Sequence, residues 1–280
     1  MTSTSRGSTS VPLIVLIDID GALIGDITPQ VIEWQFLNHY RKPYLRQYKS
    51  VLADVLSSSL LVRRGFTDFI NVLKLENKNV EFFIYTASDD KWAKFLIPCI
   101  ESSVGISFNR PIFTRSNLIS GKKSIKGCMN QIIKTLQKKG YMLTSSVKNL
   151  DKLFKNSLLI DNNFTLIDDE KDNLIKIPTY EYVLYHDVLR FIPVKCIQEN
   201  MESIVDLLSV HNMYPKDKKK TTCIEDFYMS YYNKMAENAA LTLSSSRKMS
   251  KDKVWPTILK ELLKNKSLKG TIEKLNKKLA

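Results

Sequence analysis

The sequence of 280 residues predicts an α/β fold built on a parallel central sheet. Three short apolar runs carry that expectation: Val11 to Ile17, Glu81 to Tyr85 and Ser157 to Ile160. Each reads as a strand buried on both faces. Each also stops at a polar tip, namely Asp18-Ile19-Asp20-Gly21, Thr86-Ala87-Ser88 and Asp161-Asn162-Asn163. Stretches with helical spacing lie between them. In an open parallel sheet, ligands bind beyond the carboxyl ends of the strands, so the three tips are expected to share one edge.

The elements follow in chain order. Thr28-Pro29 opens a helix through Trp34 and Phe36, with proline at a position where its missing N–H costs nothing. Residues 61–75 place Phe66, Phe69, Ile70 and Leu73 on one helical face. Ser88 or Asp89 caps the helix after the second strand. Residues 105–125 combine a short strand around Ile112 and Phe113 with a Gly/Ser/Lys turn. Residues 125–139 and 146–155 read as amphipathic helices, and 173–177 as a further strand before Pro178. Beyond these come a short helix over Met201 to Met213, another over 224–241, and one or two helices from Trp255 to Ala280, broken near Gly270.

Composition narrows the class. Hydrophobic residues make up 44% and charged residues 25%, as in a soluble globular protein, and no apolar run is long enough for a membrane span. Residues 1–10 are small and polar and are expected to be disordered, without the features of a targeting peptide. Cys99, Cys128, Cys196 and Cys223 lie far apart, which opposes a zinc knuckle or disulfide framework and fits a reducing compartment. His39, His186 and His211 join no metal-ligand spacing and read as structural. The net charge is +13, of which residues 201–280 supply +7, from 16 Lys and Arg against nine Asp and Glu. Within that stretch, Lys216-Asp-Lys-Lys-Lys220 reads as an import or nucleic-acid patch, or as a solvated linker.

The ordered tips resemble the motifs of the haloacid-dehalogenase superfamily. The resemblance is nearer to its NLI-interacting-factor branch, the phosphatases of the RNA polymerase II C-terminal domain. Asp18-Ile-Asp20-Gly-Ala-Leu is similar to the opening Asp-x-Asp-x-Thr/Val motif, with Ala22 where the family has Thr or Val. Leu61-Val-Arg63-Arg64-Gly-Phe resembles the arginine-containing helix start ahead of the second motif, and Tyr85-Thr86-Ala87-Ser88 resembles Phe-Thr-Ala-Ser. Val147-Lys148-Asn149-Leu150 resembles the Val-Lys-Asp-Leu of the third motif, and Leu159-Ile-Asp161-Asn162 the fourth. The resemblance spans residues 12–195, and the Lys/Asn-rich composition fits a copy from a large DNA virus or a divergent eukaryote.

The resemblance implies a Rossmann-like domain over 11–200 followed by a basic helical extension over 201–280. It implies a Mg2+-dependent phosphatase working through an aspartyl-phosphate, nuclear or cytoplasmic, with a phosphorylated protein or peptide as substrate. Asp18 would be the nucleophile, Asp20 the proton donor and acceptor, and Thr86 and Lys148 the phosphate-binding groups. Asp18, the Asp20 carbonyl and Asn162 would hold Mg2+, with Asp161 behind them positioning Lys148. Lys152 and Lys155 compete with Lys148, and Asp168-Asp169 with Asp161. Arg63 and Arg64 stand open between gripping a phosphate and a solvated helix start. Nucleic-acid ends or a metabolite remain alternative substrates, as does a binding role without turnover. Residues 201–280 are expected to choose a nucleic-acid or acidic partner, against the competing view that their helices complete the core.

Overall fold

The computed structural model describes residues 11–77, 79–143, 146–163, 166–216, 223–264 and 267–280. The disorder expected for residues 1–10 and the lysines of 217–220 lie outside the described residues. The chain divides into two compact units.

The first unit comprises the described residues up to Ile24, Val62–Tyr180 and Asp252–Ala280. Its sheet contains β1 (Leu13–Ile17), β2 (Val80–Ile84), β3 (Ser157–Asp161) and β4 (Leu174–Lys176), all parallel, in the order β2-β1-β3-β4. Ile14 to Ile17, Phe83, Ile84 and Leu158 to Ile160 have no solvent exposure, which is why these segments are continuous apolar runs. The expected α/β class is therefore observed.

In chain order the helices are α1 (Thr28–Tyr40) and α2 (Leu45–Ser58) of the second unit, then α3 (Phe66–Glu76), α4 (Asp90–Val104), α5 (Ile125–Lys138) and α6 (Val147–Lys155) of the first. Asp89 caps α4 by accepting from the Lys91 and Trp92 amides, and Ser124 caps α5 by accepting from Gly127. Helices α7 (Val194–Glu199), α8 (Met201–Val210) and α9 (Ile224–Met249) belong to the second unit, and α10 (Val254–Lys264) and α11 (Leu268–Leu279) return to the first. The break expected near Gly270 does not fall there, since α11 begins at Leu268 with Ser267 as its cap and contains Gly270.

This division differs from the boundary expected at residue 200. The C-terminal helices are part of the sheet unit, because Trp255 of α10 is fully buried against Phe66 and Phe69 of α3, with ring centroids 5.0 and 4.9 Å away. Gly65, at φ +80°, makes room for the chain there; a Cβ would come within 2.9 Å of Pro256. Asn276 of α11 accepts from the Lys176 amide and donates to the Leu174 carbonyl, so α11 satisfies the outer edge of β4. Residues 252–280 are thus core and not a detachable tail. Trp255→Ala should cost about 3–5 kcal/mol of stability, read as an earlier urea midpoint. An unchanged midpoint would show that α10 contributes nothing to the core.

The second unit comprises Gly25–Leu61 and Glu181–Lys251. Its buried charge is Glu33, which accepts from His186 at 2.6 Å and from Arg190 at 2.7 and 3.2 Å. Phe227 and Tyr231 of α9 are fully buried, and the Tyr231 hydroxyl donates to Asp187 while accepting from the Val188 amide. His186 is structural here, as expected from its sequence context. No helix among the described residues is long and apolar enough to cross a membrane.

Candidate active site

The carboxyl ends of β1, β2 and β3 bring the expected tips together. Asp18 follows β1 directly and is 5% exposed, Thr86 lies just beyond β2 and is fully buried, and Asp161 closes β3 and is fully buried. Asp20 is half-buried and sits in the turn after β1. Its Oδ2 accepts from the Ser88 hydroxyl at 2.5 Å, which ties the first tip to the second. The Thr86 hydroxyl accepts from the Ser88 amide at 3.1 Å and keeps its own proton to donate.

The cation at the centre is Lys123. Its ammonium donates to Asp18 Oδ1 and to Asp161 Oδ2, both at 2.7 Å, and the residue is 1% exposed. Burial alone would pull this ammonium down, but Asp18 and Asp161 outweigh it and hold Lys123 above its ordinary value. Burial pushes Asp18 well above the ordinary carboxylate range, Lys123 opposes that, and Asp161 and Asp20 add to it. The cluster therefore keeps one oxygen of Asp18, Oδ1, on the lysine.

Lys148 does not occupy this place. It lies in the first turn of α6 and is exposed, as is Lys152, and Lys155 is paired on the surface with Asp151. The resemblance of Val147-Lys148-Asn149-Leu150 to the third motif is thus corrected to Lys123. That residue precedes the α5 cap and is drawn inward because its strand-like bridge to Leu166 and the bond from the Ile167 amide fix its backbone. The adjacent Ser124 donates from its amide to the Tyr85 hydroxyl and from its hydroxyl to buried Glu170. Asp161 holds Lys123 in place of Lys148, while Asp168 and Asp169 lie on the surface, paired with lysines.

Arg63 is also corrected. It is 1% exposed and reaches no open surface: it donates to the Pro178 carbonyl at 2.9 Å and to both oxygens of Asp252, at 3.1 and 2.7 Å. A weaker bond of 3.5 Å reaches the Ala22 carbonyl. Arg63 therefore braces the turn that carries Asp20 and cannot grip a substrate, whereas Arg64 is exposed. Arg115, missed in the sequence, anchors on the second tip through a 2.9 Å bond to the Ala87 carbonyl.

Asn162 offers the test of a metal. Its amide nitrogen donates to Thr179 at 3.2 Å, while its Oδ1 is buried and has no hydrogen-bond partner among the described residues. A buried amide oxygen without a partner is costly unless something positive faces it. Gly21, at φ +73°, lets the turn approach closely, since a Cβ would come within 2.5 Å of the Asn162 nitrogen. Asp18, the Asp20 carbonyl and Asn162 are hard oxygen donors, the chemistry Mg2+ selects, and they fit it. No group of three His, Cys, Asp or Glu suited to a metal occurs among the described residues. Such a site would be completed by water and substrate, as is usual for Mg2+.

A parallel sheet with an edge of this kind is of haloacid-dehalogenase type. The chain belongs to the NLI interacting factor-like phosphatase family, whose model matches residues 13–194. Two of the solved structures that match it are CTD phosphatases. One, described as Fcp1, an essential RNA polymerase II CTD phosphatase, is 17% identical with a TM-score of 0.37, over 75% of this chain and 55% of that one. The other is the fission yeast RNA polymerase II CTD phosphatase Fcp1 as a variant bound to beryllium fluoride. It is 15% identical with a TM-score of 0.44, over 90% of this chain and 62% of that one. The chain thus spans between 55% and 62% of the length of these structures. No curated protein matches it.

Proposed function

We propose that the chain hydrolyses phosphomonoesters, with phosphoserine or phosphothreonine in a protein as substrate. The observation that carries this reading is the Asp18–Lys123–Asp161 cluster beside Asp20 and Thr86 at one sheet edge. An Asp18 oxygen attacks phosphorus, the bond from phosphorus to the leaving oxygen breaks, and Asp20 gives that oxygen its proton. Asp20 then takes a proton from water, which attacks phosphorus and breaks the bond to Asp18, restoring both acids. Lys123 neutralises charge beside the nucleophile, and Thr86 donates to a phosphate oxygen. Mg2+, held by Asp18, Asp20 and Asn162, would offset charge between phosphate and carboxylates. Ser88 fixes the orientation of Asp20 through its hydroxyl.

Family membership supports the reaction class more strongly than the substrate. Purified protein should release phosphate from an aryl phosphate in Mg2+ and stop on chelation. Phosphopeptides, 5′-phosphorylated oligonucleotides and sugar phosphates should then be compared by kcat/KM. A phosphopeptide preference above about tenfold, or about 1.4 kcal/mol of transition-state binding, supports the protein substrate. Equal or better turnover of oligonucleotides or sugar phosphates would replace it. No turnover of any phosphoester in Mg2+ would leave a binding role.

A further inference from the structure

We propose that α9 is a self-pairing surface that joins two copies of this chain in antiparallel fashion. Helix α9 buries Phe227, Tyr231, Asn238 and Met249. At 100° per residue, the opposite side carries Glu225, Met229, Tyr232, Ala236, Ala240, Leu243 and Arg247 within an arc of about 80°. All seven are exposed, with Met229 at 67%, Tyr232 at 50% and Leu243 at 66%. Three large exposed side chains share this stripe, with Glu225 at one end and Arg247 at the other, and the Tyr232 hydroxyl reaches Asp187 at 3.4 Å.

The stripe is symmetric about Ala236, and this points to the occupant. Counting outward from that residue, Tyr232 mirrors Ala240, Met229 mirrors Leu243, and Glu225 mirrors Arg247. In a two-fold antiparallel pair, each position faces its mirror position on the other copy, so every contact is made twice. The large Tyr232 ring then meets the small Ala240, Met229 packs on Leu243, and the two Ala236 residues meet at the axis. Glu225 faces Arg247 of the second copy at both ends. A parallel pair would instead set Glu225 against Glu225 and Arg247 against Arg247.

The spacing suits two helices with a shallow right-handed twist about each other. From Glu225 to Arg247 the stripe advances in steps of 4, 3, 4, 4, 3 and 4 residues. That is the eleven-residue pattern, which removes the left-handed supercoil of a strict heptad. The seam is about 33 Å long at 1.5 Å per residue. Its exposed ion pairs contribute little energy and set direction, while the apolar positions supply affinity. Antiparallel alignment also sets the helix dipoles head to tail.

Sedimentation of the full chain across the micromolar range should show a monomer–dimer equilibrium. Leu243→Glu should weaken the dimer constant by more than about tenfold, which is about 1.4 kcal/mol. It should leave hydrolysis of an aryl phosphate unchanged, which also shows that the variant folds. Glu225→Arg should weaken the dimer, and Glu225→Arg with Arg247→Glu should restore it. Under a mild oxidant, Ala236→Cys should give a covalent dimer above the wild-type background. Glu225→Cys, whose two copies would lie about 33 Å apart, should not. A monomer at every concentration would overturn the proposal. So would a dimer indifferent to Leu243→Glu, or cross-linking at Glu225→Cys and not at Ala236→Cys.

Discussion

Asp18→Asn should yield a folded protein whose release of phosphate from an aryl phosphate falls by more than about a thousandfold. The amide keeps the shape of the carboxylate but cannot attack phosphorus. Folding should survive because Lys123 retains Asp161 at 2.7 Å, so the buried cation is not orphaned. The check pairs initial rates with a urea melt. Rates near those of the parent would remove Asp18 from the reaction, and loss of folding would show that the Asp18–Lys123 bond is chiefly a structural one.

Lys123→Met should be at least as severe, and in two ways at once. Without the ammonium, Asp18 and Asp161 are buried carboxylates with no cation between them. Removing one partner from a buried ion cluster costs about 3–5 kcal/mol, because the remaining charge is uncompensated. Burial already pushes Asp18 upward, so losing Lys123 should raise it further and keep the nucleophile protonated near neutrality. Turnover should therefore fall by orders of magnitude even where the protein remains folded. Lys148→Ala is the matched comparison: an exposed first-turn lysine should change neither rate nor melting by more than about twofold or a few tenths of a kcal/mol. Equal losses for the two variants, or a larger one for Lys148→Ala, would return the third motif to α6.

The contrast between those lysines shows where sequence ceases to be legible. Asp18 and Asp161 could be found because each directly follows an apolar run that reads as a buried strand, and Thr86 through the resemblance of Tyr85-Thr86-Ala87-Ser88 to Phe-Thr-Ala-Ser. Their joint position at one edge follows from parallel topology alone. Lys123 carried no such mark. It sits in a Lys122-Lys123 pair after a Gly/Ser turn, a context that normally means solvent, while Val147-Lys148-Asn149-Leu150 offered a matching string of letters. What separates them is tertiary: the bridge to Leu166 and the Ser124 bonds to Tyr85 and Glu170 turn one lysine inward.

The same limit explains the C-terminal helices and Arg63. Amphipathic spacing in 255–280 shows that an apolar face exists but not what covers it. That the cover is α3 depends on Phe66 and Phe69 meeting Trp255 across about two thirds of the chain. Arg63 is bound to Asp252 by a pairing 189 residues apart, which no local pattern announces. Through Arg63, Asp252 is tied to the Ala22 carbonyl of the turn that carries Asp20. Residues 252–280 therefore belong to the sheet unit, whereas residues 201–251 lie in the second unit.

The most direct measurement is chemical trapping of the phosphorylated enzyme. Protein turning over an aryl phosphate in Mg2+ is quenched in acid, reduced with borohydride and digested for mass spectrometry. An acyl phosphate at a carboxylate is reduced to the alcohol, so phosphorylated Asp18 would appear as homoserine at position 18. Modification at Asp18, absent without substrate and absent in Asp18→Asn, is the expected result. Turnover with no homoserine at Asp18, or with homoserine at Asp20 or Asp161 instead, would contradict the assignment of Asp18 as the nucleophile.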